Sequence, residues 1–241
     1  MHVTVEVRDG DEGKGCDTVF NYFEYIDKTF STYKSDSEIS KINRGEISEQ
    51  QYSSDMREIF RLAEQTKQQT HGYFNIRQPE GFLDPSGIVK GWAIWQASLL
   101  LEKAGYRHFF IDGGGDIQSQ VPKNSNELWD VGIRNPFNKQ EIIKVLKITN
   151  QGVATSGSYE RGRHIYNPHK PQEALEDIVS LTIIGPNIYE ADRFATAAFA
   201  MGSEGINFIE LIDGLEGYMI NKNGIATMTS GWKKYTKIPN S

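Results

Sequence analysis

Apolar and polar residues alternate through Val3, Val5 and Val7, which predicts a first strand over residues 1–8. The period then changes. Val19, Phe23, Ile26 and Phe30 recur at helical spacing, so residues 17–29 read as an amphipathic helix. Asp17 is its candidate N-cap, and Asp9-Gly10 with the glycines of 13–15 reads as the loop before it. Residues 30–43 are polar, with a short helical turn that Ser37 can cap. Met56, Ile59, Phe60 and Ala63 predict a second helix over 53–70, stopped at His71-Gly72. Residues 72–76 follow as a short extended piece.

The central stretch reads LDPSGIVKGWAIWQASLLLEKAGYRHFFIDGGGDI. A turn, Asp84-Pro85-Ser86-Gly87, feeds a helix carrying Ile88, Trp92, Trp95, Leu99 and Leu100 and ending near Gly105. The strand Phe109-Phe110-Ile111 then enters Asp112-Gly113-Gly114-Gly115-Asp116. A helix start presents free backbone N–H groups that suit an anion, and a triple glycine lets backbone approach a ligand. The two can face one cleft. Further strands are expected at 129–133, 142–148, 153–157, 161–168 and 178–184. An alanine-rich helix over 188–201, a helix over 204–211 and a closing hairpin, 218–220 with 225–228, complete the pattern. Helices and strands mix without strict βαβ repetition, internal repeat or linker. That predicts one α+β (mixed α/β) domain over 1–241.

Composition narrows the function. The chain has 241 residues and a formal net charge of −6, with no Lys/Arg block, which argues against a nucleic-acid partner. Cys16 is the single cysteine, so no internal disulfide can form. The first residues show no basic segment followed by an apolar one, and no run of eighteen apolar residues predicts a membrane span. A cytoplasmic protein is expected, or a chain trimmed of an export signal.

Several residues carry candidate chemistry, each with an ordinary structural alternative. Asp192 and Thr196 lie four apart on one helix face, so they can offer two oxygens to a hard cation; an exposed Asp and a Thr bonded back to a carbonyl would look the same. Asp84 can touch a ligand or cap the following helix, and spacing favours the cap. Lys90 can neutralise a phosphate or stay solvated. The triple glycine can admit a phosphate or be a sharp strand exit; it is not a G-x-G-x-x-G opening a helix, so a Rossmann site is not supported. His164 can act as a general base near neutral pH or be structural, and the other histidines lack metal-ligand spacing. Tyr33, Tyr73 and Phe74 can stack on a planar ring or pack as core and rim aromatics.

The order FSTYKSDSEISKIN, GYFNI, LDPSGIVKGWA, IDGGGDI, VATSGSYERGRHIYNP, EADRFATAAFAMG resembles the FAD:protein FMN transferase family, also called the ApbE family, over almost the whole chain. The resemblance implies a compact domain with a cofactor cleft between sheet and helices. It implies Mg²⁺-dependent transfer of FMN from FAD to a Thr or Ser hydroxyl of a target flavoprotein bearing a D-x-x-(S/T)-(G/A/S)-x segment, with release of AMP. FAD hydrolysis to FMN and AMP, or FAD binding without turnover, are the alternatives. On matched positions it implies metal ligands at Asp192 and Thr196, completed by backbone carbonyls of Gly87 and Ala195. It implies cofactor contacts at Met1, Tyr33, Tyr73, Phe74, Asn75, Asp84, Lys90 and Ile165, and a proton acceptor at His164. Asn75 stands where the family often has Asp, Asn167 replaces an Asp, and Pro168-His169-Lys170 replaces P-R-T.

Overall fold

The structure, a computed structural model, describes residues 2–158 and 165–236. The chain opens with β1 (Val3–Val7) and α1 (Glu12–Phe30). The helix begins earlier than its apolar period suggests. Asp11, not Asp17, is the N-cap, its carboxylate accepting the Lys14 N–H at 3.2 Å. The expected loop glycines lie inside the helix because a Cβ on Gly15 would sit 3.1 Å from Val7 and 3.3 Å from the Tyr106 ring. A small residue there lets α1 close on β1.

Ser37 caps α2 (Glu38–Asn43) and Ser53 caps α3 (Ser54–Gln69), each accepting a backbone N–H three residues on. Residues 71–76 form turns rather than an extended piece, with His71 in the left-handed region at φ 51°. Next comes α4 (Ser86–Lys103), which buries residues all round, Ile88, Trp92, Ile94 and Leu101 among them, as a central helix must.

The sheet follows: β2 (Phe109–Gly113), β3 (Asp116–Gln120), β4 (Trp129–Asn135), β5 (Asn138–Ile148), β6 (Gly152–Gly157) and β7 (Ile178–Gly185). The remaining elements are α5 (Ile188–Ala200), α6 (Gly205–Glu210), β8 (Glu216–Asn221) and β9 (Ala226–Met228). A seven-stranded sheet runs β1-β2-β3-β6-β7-β8-β9, antiparallel at every pairing, and β4-β5 form a separate hairpin. The strand expected over 161–168 is not formed in its described part: residues 165–167 are irregular and a turn begins at Pro168. Residues 159–164 lie outside the described residues.

Three apolar layers result. One face of the sheet (Ile111, Ala154, Leu181, Ile183, Met219) packs on α4 and α5. The other face (Ile117, Val153, Ile184, Tyr218, Ile220) is covered by Val131, Ile133, Leu146 and Ile148 of the β4-β5 hairpin and by Trp232. A third cluster joins α1, α2 and α3 to the outer side of α4. Each fully buried large side chain contributes about 1.5–3 kcal/mol.

The contacts that seat α5 decide where the site lies. Asn187 caps it, and the Ile188 N–H donates to Gln118 Oε1 of β3 at 2.9 Å. A Cβ on Gly152 would lie 2.0 Å from Ile188 N, and one on Gly91 2.5 Å from Asp192 Cβ. Two glycines therefore let β6 and α4 press directly on the start of α5. Arg193, buried, donates to Glu190, Gln69 and Thr66, fastening α5 to α3.

Candidate functional site

The start of α4, the first turns of α5, the β2-β3 turn and the end of β6 meet at a cleft, with residues 73–78 and 165–168 as outer walls. It holds a cavity of about 180 Å³ and opens to solvent. At its floor Lys90 Nζ lies 2.5 Å from Asp116 Oδ2 and 3.9 Å from Asp192 Oδ1. Both carboxylates are deeply buried, Asp116 at 1% and Asp192 at 4% exposure. The Gly91 N–H donates to Asp192 Oδ2 at 2.7 Å, so the close crossing of α4 and α5 also fixes this carboxylate. Burial pushes Asp192 up to about 8; Lys90 opposes the shift and Asp116 adds to it. One turn along, Thr196 Oγ1 lies 3.5 Å from the Gly87 carbonyl oxygen, bringing two neutral oxygens to the same wall.

That donor set fits a hard divalent cation. All its atoms are oxygens, and a buried carboxylate whose own proton is hard to lose is stabilised as an anion by a bound dication. Among the described residues no three His, Cys, Asp or Glu side chains gather as a ready ligand cage. Mg²⁺ suits such a sparse set, because it keeps waters and takes phosphate oxygens. Asp192, Thr196 and the Gly87 carbonyl are the groups that would hold it.

Of the residues singled out from sequence, Tyr33, Tyr73, Phe74, Asn75, Asp84, Gly87, Lys90, Ile165, Asp192 and Thr196 all line this cleft. Tyr33 stands at the rim, 99% exposed, whereas Phe74 belongs to the core of the helical layer. Asn75 Oδ1 accepts the Arg77 N–H at 3.0 Å, holding its own loop. Asp84 does not cap α4 in the expected register: Pro85 occupies that position, and Asp84 Oδ1 accepts the Ser86 N–H at 3.0 Å. Its second oxygen remains available to the cleft it lines. Ala195 is buried in α5 and does not line the cleft. Met1 and His164 lie outside the described residues. The triple glycine makes the sharp strand exit. Gly114 and Gly115 form the β2-β3 turn at φ 65° and 93°, and Gly114 also lines the cleft.

Sequence reasoning passed over other members. Asp116 had a signal in D-G-G-G-D, but its pairing with Lys90 exists only because β3 lies beneath α4. Thr155, Ser156 and Gly157, expected only as part of a strand, also line the cleft. Tyr166 and His169 tie the outer walls together. The Tyr166 hydroxyl donates to the Arg77 carbonyl at 3.4 Å, His169 Nε2–H donates to the His71 carbonyl at 2.9 Å, and its ring meets Tyr73 edge-on at 4.6 Å.

Sequence and fold place the chain among known proteins. An Escherichia coli K12 protein named FAD:protein FMN transferase is 29% identical over 161 residues, 63% of this chain and 46% of its own length. The chain thus spans about half the length of the curated relatives it matches. The flavin transferase ApbE of Vibrio cholerae superposes with a TM-score of 0.82 at 18% identity, covering 97% of this chain and 95% of that one. An ApbE protein from Thermotoga maritima gives 0.84 at 19% identity, covering 97% and 94%. At such identities the two structures establish the shared fold. The ApbE family model matches residues 1–80 and 76–219, and with that coverage the chain belongs to the ApbE family.

Proposed function

We propose that this protein transfers FMN from FAD to a Thr or Ser hydroxyl of a target flavoprotein and releases AMP, with Mg²⁺ bound. The observation that carries the reading is convergence. Residues from Tyr33 to Thr196, scattered along the chain, line one cleft, and the relatives that share its sequence are named for this activity.

Each group has work in that reaction. The acceptor oxygen forms a bond to the FMN-side phosphorus, the bond from that phosphorus to the bridging oxygen breaks, and AMP departs with the electron pair. The hydroxyl proton passes to a base, the role we assign to His164. Mg²⁺, when bound, supplies charge neutralisation of the pyrophosphate. Asp192, Thr196 and the Gly87 carbonyl are the groups that would hold that ion. Lys90 adds positive charge beside the transferring phosphate while staying anchored by Asp116. The α4 N-terminus directs its dipole at the same anion. Tyr33 and Tyr73 offer ring faces to the flavin or adenine, and the cleft walls set the in-line approach.

The test is incubation with FAD and Mg²⁺, with and without a flavoprotein carrying a D-x-x-(S/T)-(G/A/S)-x segment. Acid-stable flavin fluorescence on that protein, stoichiometric with AMP, is expected. AMP released equally without the acceptor would identify a diphosphatase. No AMP under either condition would leave a flavin-binding protein.

A further inference from the structure

Strand β6 outruns its neighbour β3. The two pair only at Ile117↔Val153 and Gln118↔Gly152, whereas β6 pairs with β7 along its whole length, from Gly152↔Gly185 to Gly157↔Ser180. Beyond Val153 the line of β3 is cut short by the Gly114-Gly115 turn into β2. Residues 155–157 therefore have a strand on one side and, among the described residues, none on the other.

Strand alternation says which groups this leaves open. The Thr155 N–H donates to Asp116 Oδ1 at 3.2 Å, on the β3 side. The Ser158 N–H donates to the Val179 carbonyl at 3.3 Å, continuing the β7 side. Thr155 and Gly157 thus turn both backbone groups away from β7. The Thr155 C=O, the Gly157 N–H and the Gly157 C=O point along an edge that lines the cleft, and among the described residues none has a backbone partner. Gly157 has no side chain to cover that edge.

The sequence of carbonyl, N–H, carbonyl matches an extended polypeptide. A phosphate would meet two repelling oxygens there. We propose that residues 155–157 are the docking edge for the acceptor polypeptide, which adds beside β6 as a short strand. This rests on the transferase reading above. Period-two alternation then fixes the reacting position. Ser156 shares its sheet face with Ala154, the face toward α4 and α5, and lines the cleft with Asp192 and Thr196. The acceptor residue directly opposite Ser156 turns its side chain the same way, so it is the one that presents the hydroxyl. Its two neighbours turn to the opposite face. There Thr155 and Gly114 border a second cavity of about 550 Å³ lined by Val131, Ile133, Ile142 and Arg134. Acceptor choice is read in that cavity.

Amide exchange at Gly157, resolved by NMR, tests the edge. The samples are the protein alone, the protein with FAD and Mg²⁺, and the latter with an acceptor flavoprotein whose reactive Thr is replaced by Val, so that it docks without reacting. The acceptor is expected to slow exchange at Gly157 by about tenfold or more, and FAD alone to leave it unchanged. Slowing by FAD alone would hand the edge to the nucleotide and overturn the proposal. So would unchanged exchange while the Thr-bearing acceptor is flavinylated in a parallel tube, which keeps this failure separate from failure of the transferase reading. Gly157→Pro removes the N–H and is expected to raise the acceptor KM about fivefold with a smaller effect on kcat. Loss of FAD affinity in that variant instead would overturn the assignment.

Discussion

The Asp192 carboxyl lies where water barely reaches, at 4% exposure, beside a second buried carboxylate and one ammonium. Asp192→Asn keeps the shape and can still accept the Gly91 N–H, but removes the charge a dication needs. AMP release with Mg²⁺ should fall about a hundredfold or more, since metal stabilisation of the transition state is worth several kcal/mol. The melting temperature should hold or rise, because a buried charge costs stability. Full turnover in this variant would remove Asp192 from the metal site. Lys90 behaves oppositely. Lys90→Met leaves Asp116 and Asp192 facing each other without its ammonium, and should lower unfolding free energy by about 3 kcal/mol. Adding Asp116→Asn should restore a good part of that loss. Denaturant melts of both singles and the double close the cycle, and additive losses would mean that the pair is not coupled. At this scale Asp192, Thr196 and Lys90 were visible in sequence as motif positions. Asp116 was visible within D-G-G-G-D, but its pairing with Lys90 was not, because the fold and not spacing supplies that partner.

Among elements, the crossing of α4 and α5 sets the site more than either helix does. A Cβ at Gly91 would meet Asp192 Cβ at 2.5 Å and the Ile188 carbonyl at 2.8 Å, both on α5. Gly91→Ala should push the helices apart, costing about 1–3 kcal/mol, and should lower turnover by moving the carboxylate that Gly91 N–H holds. Gly87→Ala, whose nearest contacts would be side-chain atoms at 3.3 Å and 3.4 Å, should cost clearly less stability. Equal stability losses in the two variants, measured by denaturant unfolding, would refute the crossing as the constraint. Both helices were legible from their apolar period and their ends. The start of α1 was not, since Gly15 serves packing against Val7 and Tyr106 rather than a turn. Nor was β3. Its sequence is largely polar, yet residues 116–119 are buried because Asp116 meets Lys90, Gln118 holds the first N–H of α5 and Ser119 bonds the Gln151 carbonyl. Buried polar residues with assigned partners defeat any reading by hydrophobic alternation.

At the level of the whole molecule, the cleft is a seam between parts that pack independently. The helical layer supplies residues 33 and 73–90, the sheet supplies 114 and 155–157, and α5 joins them. Mixed α+β order could be read along the chain, but not that β3 and β6 are neighbours across the β4-β5 hairpin. That adjacency brings the glycine turn and Ser156 to one cleft. A ligand spanning such a seam should stabilise the entire domain, because it binds the assembled walls and not the unfolded chain. At a free FAD concentration near 100 times Kd the gain is about 2.7 kcal/mol. For a chain of this length that corresponds to a rise in Tm of about 5–10 °C. Mg²⁺ should enlarge the rise, since it offsets the repulsion between the pyrophosphate and the buried carboxylates, and EDTA should remove only the increment. In Asp192→Asn the FAD shift should persist while the Mg²⁺ increment disappears. A scanning-calorimetry series over these conditions separates the two contributions. A Mg²⁺ increment that survives the substitution would mean that the cation seats away from α5, and the catalytic role given to that helix would fall with it.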